Sequence, residues 1–271
     1  MLQEGYIDKV YYRYAKAENE TALVFAIHGL GGHSFWFDKA ALLFNEKKIS
    51  FFSFDLPGFG RSKYQSGYIS SYKFWLSTAE EIFNTVVRDF NKSKVPVFIV
   101  GHSMGALISI LLKNINVNGM VLSVPGFEGH PETWDAKSIL IPVLCKAFLK
   151  PDENVILPFG PELLTKNKNT QLEIKKDPYR VINPSAHMFK EVYFLTLQAK
   201  RMIKKINLPV LMLISGNDKV CSNVAMEKYF NLIPSSDKCM KVYTNALHDL
   251  FIEEQVIDVV SDISTWISVH K

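Results

Sequence analysis

Short runs of apolar residues alternate with amphipathic stretches along most of the chain. Residues 22–27 (ALVFAI), 49–54 (ISFFSF), 96–100 (PVFIV), 118–124 (NGMVLSV), 208–214 (LPVLMLI) and 239–243 (CMKVY) are strand-length and rich in β-branched or aromatic side chains. Near-continuous apolar runs of this length predict strands covered on both faces, as in a parallel sheet. Between them the apolar positions fall three or four apart. Over 72–90, Ile82, Val86 and Phe90 recur at fours with Ala79 and Phe83 alongside. The same spacing predicts helices over 223–232 and 252–267, and another over 104–113, directly after the third run. Strand and helix in alternation imply right-handed βαβ crossovers. The expected architecture is α/β: a mostly parallel central sheet with helices on both faces.

One stretch breaks this rhythm. Residues 126–205 carry helical patterns but no convincing strand, and they fall between two predicted strands of the sheet. Asn183 and Pro184 read as an N-cap and first helical position, followed by an amphipathic run to Lys205. Some 80 residues are too many for a loop. The expected organisation is therefore a core of residues 1–125 and 206–271 with an inserted helical cap over 126–205.

Composition narrows the class without changing it. Hydrophobic residues make up 48% and charged residues 21% of the 271 positions, the balance of a soluble globular protein. A net charge of +4 is mild for this length and argues against a nucleic-acid partner. Cys145, Cys221 and Cys239 are widely spaced, which speaks against a disulfide framework or a zinc site. The N-terminus shows no basic region followed by an apolar run, and no apolar stretch approaches the ~20 residues of a membrane helix. A cytoplasmic protein is expected. The basic cluster Lys200, Arg201, Lys204 and Lys205 is better read as cations complementing a helix C-terminus than as a lipid-binding patch. Transient contact of the cap with a membrane surface stays open.

The chemistry concentrates at Gly101-His102-Ser103-Met104-Gly105, a G-x-S-x-G pattern between a predicted strand and a predicted helix. That context is what a nucleophile elbow requires, with glycines on either side allowing the strand and helix to close around the serine. A serine hydroxyl needs a base. His248, in NALHDL after the last predicted strand, lies at the carboxyl end of the sheet with the elbow, whereas His102 is expected to be aimed elsewhere by the tight turn. The acid orienting the base is expected at Asp218, in ISGNDKV after the strand 208–214. Asp249 is the rival, disfavoured because adjacent side chains diverge. The glycine-rich His28-Gly29-Leu30-Gly31-Gly32 follows the first strong strand. It supplies one oxyanion donor, the amide of Leu30, to pair with the amide of Met104. No G-x-G-x-x-G opens a helix there, so neither a dinucleotide nor any other cofactor or metal is expected. Asp55 to Ser62 (DLPGFGRS) reads as a structural turn.

These motifs resemble the monoglyceride lipase and lysophospholipase branch of the α/β-hydrolase superfamily. The resemblance rests on HGLGGHS at 28–34, DLPGFGRS at 55–62, GHSMGA at 101–106, SGNDKVC at 215–221 and ALHDL at 246–250. Within the insertion, LLTKNKN at 163–169 and KKDPYR at 175–180 are similar to that branch's cap segments. The chain departs from the branch at Ala106 and Gly32, where glycine and glutamate are usual. The resemblance implies a serine esterase acting on acylglycerols or related lipid monoesters, with the insertion as a lid over an acyl pocket. The same triad would also serve a carboxylesterase or thioesterase for short or aromatic acyl groups, and a catalytically dead fold used as a scaffold is the reading from another class.

Overall fold

A computed structural model describes residues 2–271. The six apolar runs form strands of one eight-stranded sheet in the order β1-β2-β4-β3-β5-β6-β7-β8. These strands are β1 (Leu2–Ile7), β2 (Val10–Ala15), β3 (Ala22–Ile27), β4 (Ile49–Phe54), β5 (Val97–His102), β6 (Gly119–Ser123), β7 (Val210–Ser215) and β8 (Lys238–Tyr243). From β4 across to β8 all neighbours run parallel, while β1, β2 and β4 pair antiparallel. Every residue of β3 to β7 is buried, as apolar residues at successive positions predict.

Two features differ from expectation. The β1–β2 hairpin was not foreseen, because LQEGYI has Gln3, Glu4 and Gly5 between its apolar ends and forms an exposed sheet edge, and Arg13 interrupts the otherwise apolar and aromatic β2. Strand β8 is not covered on both faces: Cys239, Met240, Lys241 and Val242 are exposed at the opposite edge. Lysine on an edge strand also discourages pairing with another chain.

The helices are α1 (Asp38–Glu46), α2 (Tyr72–Asp89), α3 (Met104–Leu111), α4 (Ile141–Leu149), α5 (Pro161–Leu164), α6 (Lys168–Lys176), α7 (Ala186–Met202), α8 (Asn223–Asn231) and α9 (Val256–Val269). Helix α1 escaped the sequence reading, and α9 starts later than the spacing suggested. The start of α7 is also corrected. Ser185, not Asn183, caps it, its hydroxyl accepting from the Met188 amide at 3.2 Å. Pro184 remains outside because the chain there is tied as extended backbone, Val155 N–H donating to Pro184 O and Ser185 N–H to Gly67 O. Helices α4 to α7 occupy the stretch between β6 and β7, and α7 packs between α3 and α4. Among the described residues no helix is long and apolar enough to cross a membrane.

Candidate active site

Strand β5 ends, the chain turns at Ser103, and α3 begins at the next residue. The turn is strained: Ser103 has φ 52° and ψ −112°, a conformation non-glycine residues avoid. Its flanking glycines are there for close approach. A Cβ at Gly105 would lie 2.1 Å from Ile27 O, and one at Gly101 2.5 Å from the Ala106 Cα. The turn is held by Ser103 N–H donating to Ser123 O at 2.9 Å and Ala106 N–H to Ser103 O at 3.1 Å.

Two further loops meet this turn at the carboxyl edge of the sheet. After β7, Asp218 is fixed by the amides of Val220 (2.7 Å) and Cys221 (2.9 Å), both donating to Oδ1. Its Oδ2 lies 2.7 Å from Nδ1 of His248, in the loop after β8. Nε2 of His248 lies 3.1 Å from the Ser103 hydroxyl oxygen. With the proton on Nδ1 the imidazole donates to Asp218, and the serine hydroxyl donates to Nε2. All three residues are buried. Burial pulls the His248 pKa down, but the Asp218 carboxylate outweighs it and holds the pKa above the ordinary value. The structure thus brings Ser103, Asp218 and His248 together.

The rival acid finds a different partner. Asp249 Oδ2 approaches Nε2 of His102 at 3.4 Å, and its Oδ1 accepts from the Phe251 amide at 3.0 Å. His102 makes no hydrogen bond with Ser103, yet its ring lies only 5.2 Å from that of His248, so it stays in the site. Burial, reinforced by the neighbouring His248 and His28, holds it well below the ordinary histidine pKa, hence neutral. Sequence reasoning missed this buried pair because it joins the elbow to a loop 147 positions away in the chain.

Leu30, Ser103 and Met104 share the wall of a cavity of about 400 Å³. Its remaining walls are mostly apolar and come largely from the stretch between β6 and β7, including Phe127, Trp134, Val143, Leu144 and Phe189. Among the described residues the amides of Leu30 and Met104 donate to no other part of the chain. Buried Cys221 also lines this cavity. Its thiol is pushed well up, by burial first and then by Asp218. Among the described residues, the group that could hold a metal ion is Asp218, Cys221 and His248. Its carboxylate and imidazole are already bonded to each other, which leaves no open ligand set.

The insertion is tied directly to the loop carrying Leu30. Asp177, in the KKDPYR segment, accepts from Trp36 Nε1 at 3.1 Å and the Tyr179 amide at 2.9 Å, and meets His33 Nε2 at 2.7 Å. Val181 N–H donates to Gly31 O at 3.1 Å. Burial works against the Asp177 carboxylate, but these partners, His33 foremost, hold its pKa at about 2. Asp55 behaves as the structural turn expected, its carboxylate accepting from the amides of Ser34 and Arg61, both at 2.7 Å.

Residues 18–255 match the family described as serine aminopeptidase S33, a family of hydrolases. The chain belongs to this family. The chain is 29% identical to the monoglyceride lipase of Rattus norvegicus, over 91% of its own length and 82% of that protein. It is 30% identical to a monoglyceride lipase homolog of Monkeypox virus, covering 96% of this chain and 94% of the viral one. With relatives of this kind, the chain is a hydrolase of carboxylic esters. The α/β-hydrolase fold is shared with a soluble variant of monoglyceride lipase from Saccharomyces cerevisiae, at a TM-score of 0.89 and 21% identity over 100% of this chain and 96% of that one.

Proposed function

We propose that this family member cleaves lipid monoesters, of the monoacylglycerol or lysophospholipid kind, through an acyl-enzyme on Ser103. The observation that carries the reading is the chain of contacts from Asp218 through His248 to the Ser103 hydroxyl at the foot of a large, mostly apolar cavity. His248 Nε2 takes the serine proton as Oγ attacks the ester carbonyl carbon, and Asp218 stabilises the imidazolium. The oxyanion that develops is met by the amides of Leu30 and Met104, the second at the start of α3, where the helix field favours negative charge. His248 then returns the proton to the departing alcohol. Water repeats the sequence in reverse and frees the fatty acid.

A cavity of about 400 Å³ suits one acyl chain. We assign residues 126–205 as the cap that supplies most of its walls. Glu128 is the carboxylate at this cavity, and Lys200 engages it at 2.9 Å. Among the described residues no unpaired anion lines this cavity to meet the amino terminus of a peptide, which favours esters over the aminopeptidase chemistry in the family's description. Outside the cavity, Phe148 and Leu149 are 69% and 81% exposed at the end of α4, near Lys146 and Lys150. Both lysines pair with Glu153 at 2.9 Å, so it is the two exposed apolar side chains that support contact with a lipid surface.

The test is a panel of p-nitrophenyl esters and monoacylglycerols of increasing acyl length. Each buried methylene contributes ~0.8 kcal/mol, so kcat/KM rises from C4 to at least C8 by up to about two orders of magnitude. Monoacylglycerols outcompete triacylglycerols. A preference for acetyl esters that declines toward C8 would overturn the lipid reading in favour of small esters.

A further inference from the structure

Acyl-enzyme chemistry needs two nucleophiles at one place in turn, and the second must reach His248 while the acyl chain fills the larger cavity. Of the two cavities at the site, His248 borders only the smaller. That cavity has about 20 Å³, enclosed by Ser103, His248, His102 and Asp249 together with Leu164, Phe251 and the loop from His28 to Gly32. It shares only Leu30, Ser103 and Phe159 with the larger cavity. A volume of this size holds about one water, provided two or more polar groups face it.

The polar groups are present, and two have free capacity. Both nitrogens of His28 are engaged, Nδ1 with Gly29 O at 2.8 Å and Nε2 accepting from the Leu56 amide at 3.0 Å. Asp249 Oδ1 is engaged by the Phe251 amide. Asp249 Oδ2 and His102 Nε2, by contrast, stand 3.4 Å apart, longer than a good hydrogen bond, so each keeps capacity for a water at the edge of the cavity. Burial pushes the Asp249 carboxyl up to about 6, so at neutral pH it remains an acceptor. The loop bearing both His248 and Asp249 is pinned from the insertion, His248 N–H donating to Leu163 O at 3.3 Å and Asp249 N–H to Leu164 O at 2.9 Å.

We propose that the small cavity seats the water that hydrolyses the acyl-enzyme, and that Asp249 and His102 are positioning residues for that water. This rests on the acyl-enzyme reading above and deepens it. The water oxygen forms a bond to the ester carbon on Ser103 while one of its protons passes to His248 Nε2. The carbon–Oγ bond then breaks, Oγ takes that proton from His248, and the carboxylic acid leaves. Asp249 accepts a hydrogen bond from the other O–H of the water and changes no protonation state.

Rapid mixing of a p-nitrophenyl ester with the wild-type chain and with Asp249→Asn separates the two half-reactions. The burst of p-nitrophenol reports acylation and its amplitude counts folded sites, so partial misfolding does not confuse the result. Expected in Asp249→Asn is an acylation rate within about threefold of wild type and deacylation slower by about tenfold or more, the scale at which misplacing a reactant is felt. Acyl-Ser103 then accumulates in the mass spectrum. His102→Asn, a second variant, shifts the same ratio in the same direction. Equal loss in both half-reactions, or no loss in either, in both variants overturns the proposal. An acyl adduct on a residue other than Ser103 would instead refute the acyl-enzyme reading itself.

Discussion

The side of the site built by the sheet and the side built by the insertion are held in different ways. On the sheet side every reactive group sits at the carboxyl end of a parallel strand, Ser103 and Asp218 after the buried β5 and β7 and His248 after the edge strand β8. Ser103 is locked by a strained turn, and Asp218 by two amides before it meets His248. On the insertion side, α4 has one fully buried residue, Ala147, and its end projects Phe148 and Leu149 into solvent. The second half of the insertion is tied to the core at points: Asp177 to His33 and Trp36, Thr165 to Glu253, and two backbone carbonyls to the His248 loop. The difference teaches where each property of the enzyme resides. The reactive side chains come from the sheet edge, while most of the cavity wall and two of the hydrogen bonds that hold the His248 loop come from the insertion.

This division can be broken by substitution. Asp218→Asn strikes the sheet side and should cost about three orders of magnitude or more in kcat, because the amide no longer fixes the His248 tautomer. The same change at Asp249 should cost far less, and comparing kcat for the two variants checks the assignment. A reversal would mean that His248 takes its orientation from Asp249 in its own loop and not from the turn after β7. The pH profile follows from the same contact. His248 must be neutral to accept the serine proton, and Asp218 raises its pKa, so kcat/KM should fall as pH drops through a value above ~6.5. An acid limb well below 6 would contradict that geometry.

A smaller effect is expected on the insertion side. Asp177→Asn removes the charge meeting His33 and loosens the loop that carries Leu30. A loss of about tenfold in kcat is expected, with a stability loss of about 1–3 kcal/mol. Because Asp177 is held at about 2, well below an ordinary carboxylate, its contribution is fully present above pH ~4 and fades as pH falls through about 2. Denaturant unfolding of both proteins at pH 7 and near pH 2 checks this, since the difference should shrink at the lower pH. An unchanged kcat would show that the insertion does not act on the reaction geometry.

Much of this was legible in the sequence, for physical reasons that can be named. Buried parallel strands must be apolar at successive positions, and G-x-S-x-G must have glycines where Ile27 O and the Ala106 Cα crowd the turn. Order along the chain then places Asp218 and His248 at neighbouring strand ends. Strand β1 was hidden because an exposed edge strand needs no apolar run. The His102–Asp249 and His33–Asp177 contacts were hidden because they join residues far apart in sequence through single side chains, which leave no periodic trace. The support that Leu163 and Leu164 give the His248 loop comes from backbone carbonyls and has no residue-type signature at all.

The central claim is that Ser103 attacks the ester. The most direct measurement is to label the chain with a fluorophosphonate and locate the adduct by peptide mass spectrometry, alongside Ser103→Ala. The account predicts a single adduct on Ser103. It also predicts no adduct in Ser103→Ala, an esterase rate lower by several orders of magnitude, about 10⁴ or more, and an unchanged fold. An adduct on another residue, or turnover near the wild-type rate in Ser103→Ala, would contradict it.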